Sequence, residues 1–520
     1  MTIIGIGFLA SELFKILGGH RRKAVQRQPH QPIQPRPLLL RHNRINLPLV
    51  SELDLLSFPS LLNKLKQTLP KLADGNSHVL IVQPNTRVVQ WPPVPTELRR
   101  TLSLSALVFT GIIMIQPTAP MPLFGVVHET AKGHVVTAIL IAMFGMMLTA
   151  FSYGRMAAIH PNSGSAYTYV GQELHPTLGF LAGWAMLMDY ILNPVICTIW
   201  CARAMTNVFS GIPEELWRIA FAALFTWLNL RNIQATARTN QILTLAMGLV
   251  IAAMLYCSAR FFLNQPVHTL ADLTRPFYDP KTFSLTAVSA GTSLAVLTYI
   301  GFDGISTLGE EVIDARKNIL RGTVLVCLII GILSAFETYA AQLVWPYGEK
   351  LPDIDTAYVY IAGRAGGPWL FQIVNFTLIL ATVGSGAGGV LAGARLMYGM
   401  GREGTLPKSF FSYIHPTSNI PARNVALIGC SALVGSFLLT YQSGAELLNF
   451  GAFIGFMGVN LAALKRGATL PAKVMAAMGF LVCAFLWWNL STNAKLYGAA
   501  WLGVGLFWHF YQTRKIASSQ

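Results

Sequence analysis

Asp189, Asp303 and Glu337 each fall inside a long apolar stretch of the chain. A charge at mid-bilayer costs on the order of 2.5–3.5 kcal/mol on insertion scales, so such acids are functional candidates by default. They can accept a proton or pair with a cationic ligand. No Lys or Arg lies at a similar depth to neutralise them. The plainer alternative is a protonated acid hydrogen-bonded between helices. Asp303 stands out through its neighbours, because Tyr299-Ile300-Gly301-Phe302-Asp303-Gly304 sets the acid between two glycines. A second irregular run, Gln116-Pro117-Thr118-Ala119-Pro120-Met121-Pro122, carries three prolines within six residues. Proline removes a helical hydrogen bond and clashes with the preceding turn, so these cannot share one continuous helix.

A break inside a membrane helix frees backbone donors and acceptors, which are tolerated only against protein or a water-filled cavity. The N-terminal end of a half-helix suits a carboxylate; the C-terminal end and loose carbonyls suit a cation. Two such breaks together can hold a zwitterion without any charged side chain. An ordinary proline kink plus glycines for close packing would also give these residues. It would not explain why they fall at matching places in two halves of the chain.

Glu310 and Glu311 follow Asp303 by seven and eight residues, about 10 Å further along a helix rising 1.5 Å per residue. With a basic residue such as Arg155 they can form a charged inner gate. The alternative is a solvated helix end whose local partners are Arg316, Lys317 and Arg321.

Other patterns imply no chemistry. Gly384-Ser385-Gly386-Ala387-Gly388-Gly389 fits G-x-G-x-x-G but follows no strand, so no dinucleotide cofactor is expected. The six cysteines and eleven histidines show no zinc spacing, and no metal or other cofactor is expected. No nucleophile elbow or H-E-x-x-H pattern points to an enzyme. Gly179/Gly183, Gly389/Gly393 and Gly451/Gly455 are spaced for close helix packing in a membrane.

The elements that must position these residues are legible in composition. Of 520 residues, 53% are hydrophobic and only 12% charged, with mean hydropathy +0.50. A soluble domain carries about 25% charged residues. Segments of about 17–25 apolar residues span a bilayer as helices. Twelve are found, near 103–127, 134–154, 178–205, 214–231, 238–262, 285–309, 320–345, 368–398, 423–441, 444–463, 474–490 and 495–512. The proline-rich break lies in the first and the Gly-Asp-Gly break in the sixth, so each opens a block of five: 103–262 and 285–464. Paired interruptions of this kind are the best sequence pointer to a transporter binding site. Placing both termini inside puts 29 Lys and Arg on the cytoplasmic side against nine outside, in keeping with the positive-inside rule.

Residues 1–98 differ in kind. Residues 1–100 hold 14 of the 38 Lys and Arg, and 20–100 hold eleven prolines. We read this region as a largely disordered cytoplasmic arm, with Thr2–Gly19 a helix lying on membrane lipid. No nucleic-acid recognition motif accompanies the charge.

The runs Ala150-Phe151-Ser152-Tyr153-Gly154-Arg155, Pro161-Asn162-Ser163-Gly164-Ser165-Ala166-Tyr167-Thr168-Tyr169 and Gly179-Phe180-Leu181-Ala182-Gly183-Trp184 resemble the amino acid–polyamine–organocation permeases, as does Gly301 to Glu311. Gly133-His134, Leu187-Met188-Asp189-Tyr190, Gly399-Met400-Gly401-Arg402 and Leu448-Asn449-Phe450-Gly451-Ala452 look like the bacterial putrescine importers within that superfamily. The resemblance implies an all-α fold of twelve transmembrane helices, with a five-plus-five inverted repeat, broken helices 1 and 6, and two extra helices. It implies a central substrate site formed by Gln116, Pro117, Thr118, Ala119 and Pro120 with Tyr299, Ile300, Gly301, Phe302, Asp303 and Gly304, and proton-coupled uptake. The chain departs from the importers in having Pro122 where they carry an Asp, and Glu337 where they carry a small residue.

The expected activity is therefore proton-coupled uptake of amino acids across the cytoplasmic membrane, with polyamine import as the alternative and amino acid–amine exchange a third. A channel would need a continuous ring of polar groups, and none is visible. The arm carries no apolar period, so a chain starting near Glu97 is expected to insert and transport like the full protein. Uptake by membranes expressing the truncated form checks this; loss of insertion refutes it.

Overall fold

The computed structural model describes residues 102–160, 165–231, 237–265, 269–308, 311–416 and 418–518. The N-terminal arm, Pro161 to Gly164 and Glu310 lie outside the described residues.

The elements run in order as α1 (Leu104–Ile115), α2 (Pro120–Thr130), α3 (Val135–Ile159), α4 (Ser165–Glu173), α5 (Pro176–Thr206), α6 (Glu214–Leu230), α7 (Ala237–Leu263), α8 (Leu270–Thr274) and α9 (Leu285–Ala295). Two 3-10 stretches, Val296–Tyr299 and Phe302–Leu308, continue α9. Then come α10 (Ala315–Val344), α11 (Ala357–Gly366), α12 (Pro368–Arg402), α13 (Lys408–Phe411), α14 (Ala422–Leu438), α15 (Tyr441–Arg466), α16 (Leu470–Trp488) and α17 (Thr492–Ser518). Among the described residues, seven single helices are long and apolar enough to cross a membrane, and α1 with α2, bent by 57°, passes as an eighth. The remaining predicted segments also coincide with helices: α6, α9 with its 3-10 continuation, α14 and α17. The short helices α4, α8, α11 and α13 have too few apolar residues in a row to register as spans in the sequence.

Helix starts follow local chemistry. The Ser103 hydroxyl accepts from the Ala106 N–H at the start of α1, and Thr440 with Ser443 forms a reciprocal capping box on α15. Pro120, Pro176 and Pro368 each open a helix, where a missing N–H costs nothing.

Helix α5 is the organising element, packed against α4, α6, α12, α14 and α15. The glycine pairs expected to mediate close packing all do so around it. A Cβ on Gly451 would lie 2.5 Å from the Ala185 carbonyl oxygen, and one on Gly179 2.4 Å from the Gly171 Cα. Gly389 and Gly393 abut Asn193 and Tyr190 of the same helix. Helices α3 and α10 form a second close pair, with Gly154 against the Leu320 backbone.

The tightest approach to backbone among the described residues is at Gly125 in α2, where an added Cβ would fall 2.0 Å from the Ile354 carbonyl oxygen. Backbone cannot step aside as a side chain can, and overpacking costs about 1–3 kcal/mol. Gly125→Ala is therefore expected to lower thermal stability in detergent, whereas Gly388→Ala, with nothing within 4 Å, leaves it unchanged. Equal melting temperatures for the two variants would contradict this packing.

Candidate functional site

The first break is narrow. Gln116 ends α1 with φ 75°, and Pro120 restarts the chain as α2. The Gln116 side chain spans out of the break: its Nε2 donates to the Ala381 carbonyl of α12 at 2.8 Å. The N-terminal end of α2 has few donors to offer. Pro120 and Pro122 have no N–H, and those of Ala119 and Met121 already donate to the carbonyls of Gln116 and Thr118. This is the half-helix end that was expected to receive a carboxylate.

The second break falls one to two residues earlier than the Gly301–Gly304 pair suggested. Ile300 is extended and Gly301 has φ +117°, a conformation open to glycine and strained for other residues. Gly304 lies inside the following 3-10 stretch, its N–H donating to the Gly301 carbonyl at 3.1 Å. Asp303 stabilises the break locally, since its Oδ1 accepts the Gly301 N–H at 3.2 Å. The two breaks meet: a Cβ on Gly301 would lie 3.2 Å from the Met114 carbonyl oxygen at the end of α1. Helix α1 packs against 302–308 and α2 against α9, so the halves of the two broken spans cross in pairs.

Asp303 is 4% exposed and Asp189, on α5, 2% exposed. Tyr153 of α3 packs edge-on against Phe302, the neighbour of Asp303, with ring centroids 5.5 Å apart. Asp189 Oδ2 and the Tyr153 hydroxyl are buried without a hydrogen-bond partner among the described residues. Glu337 lies on a third element, α10. Both its carboxylate oxygens are buried and unpartnered among the described residues, and Tyr358 of α11 donates to its backbone carbonyl at 3.2 Å. Tyr358 in turn packs edge-on against Phe124 of α2, ring centroids 5.7 Å apart, so Glu337 lies near the second half of the first broken span.

Sequence reasoning missed the polar wall opposite the breaks. Asn193 Nδ2 donates to Ser385 Oγ at 3.4 Å, joining α5 to α12 beside Gln116. Pro194 lies inside α5 and leaves the Tyr190 carbonyl without its helical donor, next to Asp189. The Asn193-Pro194 pair within an apolar run was the available signal.

The expected inner gate is only partly visible. The Arg155 guanidinium sits 5.7 Å from the centre of the Phe151 ring and pairs with no carboxylate among the described residues. Glu311 contributes its backbone: its carbonyl accepts the Leu102 N–H at 3.0 Å, and the Ile313 N–H donates to the Leu102 carbonyl at 2.9 Å. This strap joins the lead into α1 to the end of the second broken span. Ion pairing at this end instead gathers on Glu173, which meets His160 at 2.5 Å and Arg466 at 2.9 Å.

At the other end, Arg203 of α5 bridges Glu214 at 2.8 Å and Asp353 at 3.3 Å, and the Trp200 indole N–H donates to the Asp355 carbonyl at 2.7 Å. The loop leading into α11 is thereby tied to α5. Burial, reinforced by Asp353, pushes the Asp355 carboxyl up to about 6.

Helices this long and apolar make the chain a multi-pass membrane protein. It belongs to the amino acid permease family, whose model matches residues 100–519. The chain is 35% identical over 447 residues to the low-affinity putrescine importer PlaP of Escherichia coli (strain K12), covering 82% of this chain and 95% of that one. It is 27% identical over 437 residues to the branched-chain amino acid permease BcaP of Lactococcus lactis subsp. cremoris, covering 75% and 90%. It is 24% identical over 397 residues to the vacuolar cationic amino acid transporter 4 of Arabidopsis thaliana, covering 71% and 64%.

Asp355 carries a pH prediction. Its carboxyl is raised from 3.8 to about 6 in the folded protein, so between those values the folded state binds more protons than the unfolded one. Stability contributed by this group is present below pH 4 and falls as pH rises to 6. With allowance for its partial exposure the effect is on the order of 1–2 kcal/mol. Asp355→Asn is expected to raise the melting temperature at pH 7 and to flatten its dependence between pH 4 and 6; an unchanged slope counts against it.

Proposed function

We propose that the protein is a secondary importer of small organic cations, a polyamine of the putrescine type being the substrate class its site fits best. The observation carrying this reading is that Asp189 and Asp303 are both buried acids and neither has an ion-paired Lys or Arg among the described residues. Two acids can receive one or both ammonium groups of a diamine, or one ammonium and one coupling proton. The proline-depleted donors of α2 favour the same choice, since a carboxylate finds little to bind there. This reverses the order of preference drawn from the sequence, which put amino acids first and polyamines second. Amino acid uptake remains the second reading, supported by the meeting of the two half-helix ends at Met114 and Gly301.

In the mechanism we infer, the crossed pairs α1/302–308 and α2/α9 belong to two five-helix repeats of opposite orientation, with α16 and α17 as the additional helices. The protein lies in the cytoplasmic membrane with both termini and the N-terminal arm inside. Asp303 takes up the proton or the substrate ammonium, and release at the inner face requires the Leu102–Glu311 strap to open. Glu337, Arg155, Glu310 and Glu311 act outside the central site, in coupling or gating.

Proteoliposomes under an inward proton gradient test this. Labelled putrescine is expected to accumulate, with competition by spermidine exceeding that by common amino acids. Asp303→Asn and Asp189→Asn are each expected to reduce uptake by at least about tenfold, the weight of one charged hydrogen bond. Full uptake with normal pH dependence in Asp303→Asn sinks the assignment. Inhibition by amino acids alone sinks the substrate class, and indifference to the gradient sinks proton coupling.

A further inference from the structure

We infer that Asn449, in the run Leu448-Asn449-Phe450-Gly451-Ala452 of α15, is a positioning residue that holds the second broken span in its 3-10 form and so fixes where Asp303 stands. This deepens the proposed function and rests on its reading that Asp303 takes up the substrate ammonium or the proton.

The need for such a residue arises from a change of backbone pairing. Helix α9 ends at Ala295, and the chain continues as the 3-10 stretch Val296–Tyr299. Through α9 each carbonyl accepts from the N–H four residues on. Thr292 accepts in this way from Val296, whose N–H is shared with the Leu294 carbonyl. In the 3-10 stretch the donor lies three residues on, as where the Ile300 N–H donates to the Leu297 carbonyl at 3.3 Å. A continuous α-helix would fill the carbonyls of Ser293 and Leu294 from Leu297 and Thr298. With the α pairing ending at Ala295, these two carbonyls lie where regular donors run out.

Asn449 supplies them. Its Nδ2 donates to the Ser293 carbonyl at 2.9 Å and to the Leu294 carbonyl at 3.3 Å. The amide nitrogen carries two hydrogens, one for each. An oxygen in its place would face two acceptors, so the contacts also fix which way the amide points. The side chain is fully buried, and its neighbours hold it. Gly451 packs on the Ala185 carbonyl of α5, and the Phe450 ring lies 5.5 Å from that of Trp487 on α16. Ser293 makes a separate tie, its Oγ donating to the Leu486 carbonyl of α16 at 2.7 Å.

Without the Asn449 donor, the two carbonyls are satisfied by returning 296–299 to α pairing. A 3-10 helix rises about 2.0 Å per residue with three residues per turn, an α-helix about 1.5 Å with 3.6. Over four residues that change draws the break in by about 2 Å and turns it by about 80°. Gly301 and Asp303 follow directly, so both would be displaced. Asn449 thus acts on the site through the backbone of another element.

The test uses full-length variants in proteoliposomes. Asn449→Leu and Asn449→Ala both remove the donor, the first nearly keeping the volume. Each is expected to raise the KM for putrescine at least about tenfold and to shift the pH profile of uptake. Ser293→Ala loses the α16 tie and leaves both carbonyls capped. It is expected to lower the melting temperature in detergent with KM unchanged. Asn449 variants that lose only melting temperature, with KM and pH profile intact, overturn the role. The geometry is also read without substrate. An added Cβ on Gly304 would lie 2.6 Å from Met114 Cε, so Met114→Cys with Gly304→Cys brings two thiols together. They are joined by a short bis-thiosulfonate in a background carrying Cys430→Ser, which removes the one exposed native cysteine. Adding Asn449→Leu or Asn449→Ala is expected to slow this cross-link at least about tenfold; an unchanged rate overturns the role. If the unmutated protein takes up no putrescine while the cross-link still slows, the proposed function fails and the positioning role stands.

Discussion

Backbone groups released inside an apolar interior must find partners, and the centre of this protein is arranged around that requirement. Interrupting two spans leaves helix ends where a bilayer offers no water. The chain meets the need with neighbouring protein. Asp303 takes the Gly301 N–H, and Gln116 lends its amide to α12. Prolines at the start of α2 remove donors that would otherwise be orphaned. The same devices leave specific groups unspent, chiefly the second Asp189 oxygen and the Tyr190 carbonyl beside Pro194. Among the described residues the Tyr153 and Thr298 hydroxyls are also buried without a partner.

The break at Gly301 depends on close approach as much as on hydrogen bonding. Met114 occupies the space that a side chain at 301 would need, so the two interrupted spans touch where both have lost helical geometry. Around them α5 forms a fixed wall, crowded by glycines from α12 and α15, while the lead into α1 is strapped to the residues after 302–308. Close glycine packing thus lies on one side of the centre and a two-bond backbone strap on the other.

The relatives span substrates that differ in charge, with a putrescine importer and a branched-chain amino acid permease both similar along most of this chain. In this chain the first span contributes prolines where a charge or a glycine-rich run would otherwise act, and the acids come from α5 and from the second break.

Composition and periodicity by themselves determined the helical membrane architecture, because a bilayer demands long apolar segments and a sequence cannot hide them. Proline at Pro117, Pro120 and Pro122 and glycine at Gly301 fixed where two of those segments break, since their backbone restrictions are local. Asp303 was legible for the same reason, being an acid beside a break. What each acid meets was not: Asp303 takes the Gly301 N–H within its own break, whereas Glu337 lies beside Tyr358 of α11, a neighbour far away in sequence. Glu310 and Glu311 could be read with Arg155 as a gate or as a solvated helix end; among the described residues Arg155 lies over Phe151 and the Glu311 carbonyl accepts the Leu102 N–H. Electrostatic partnership depends on distances between elements far apart in sequence, and only the tertiary structure sets those distances.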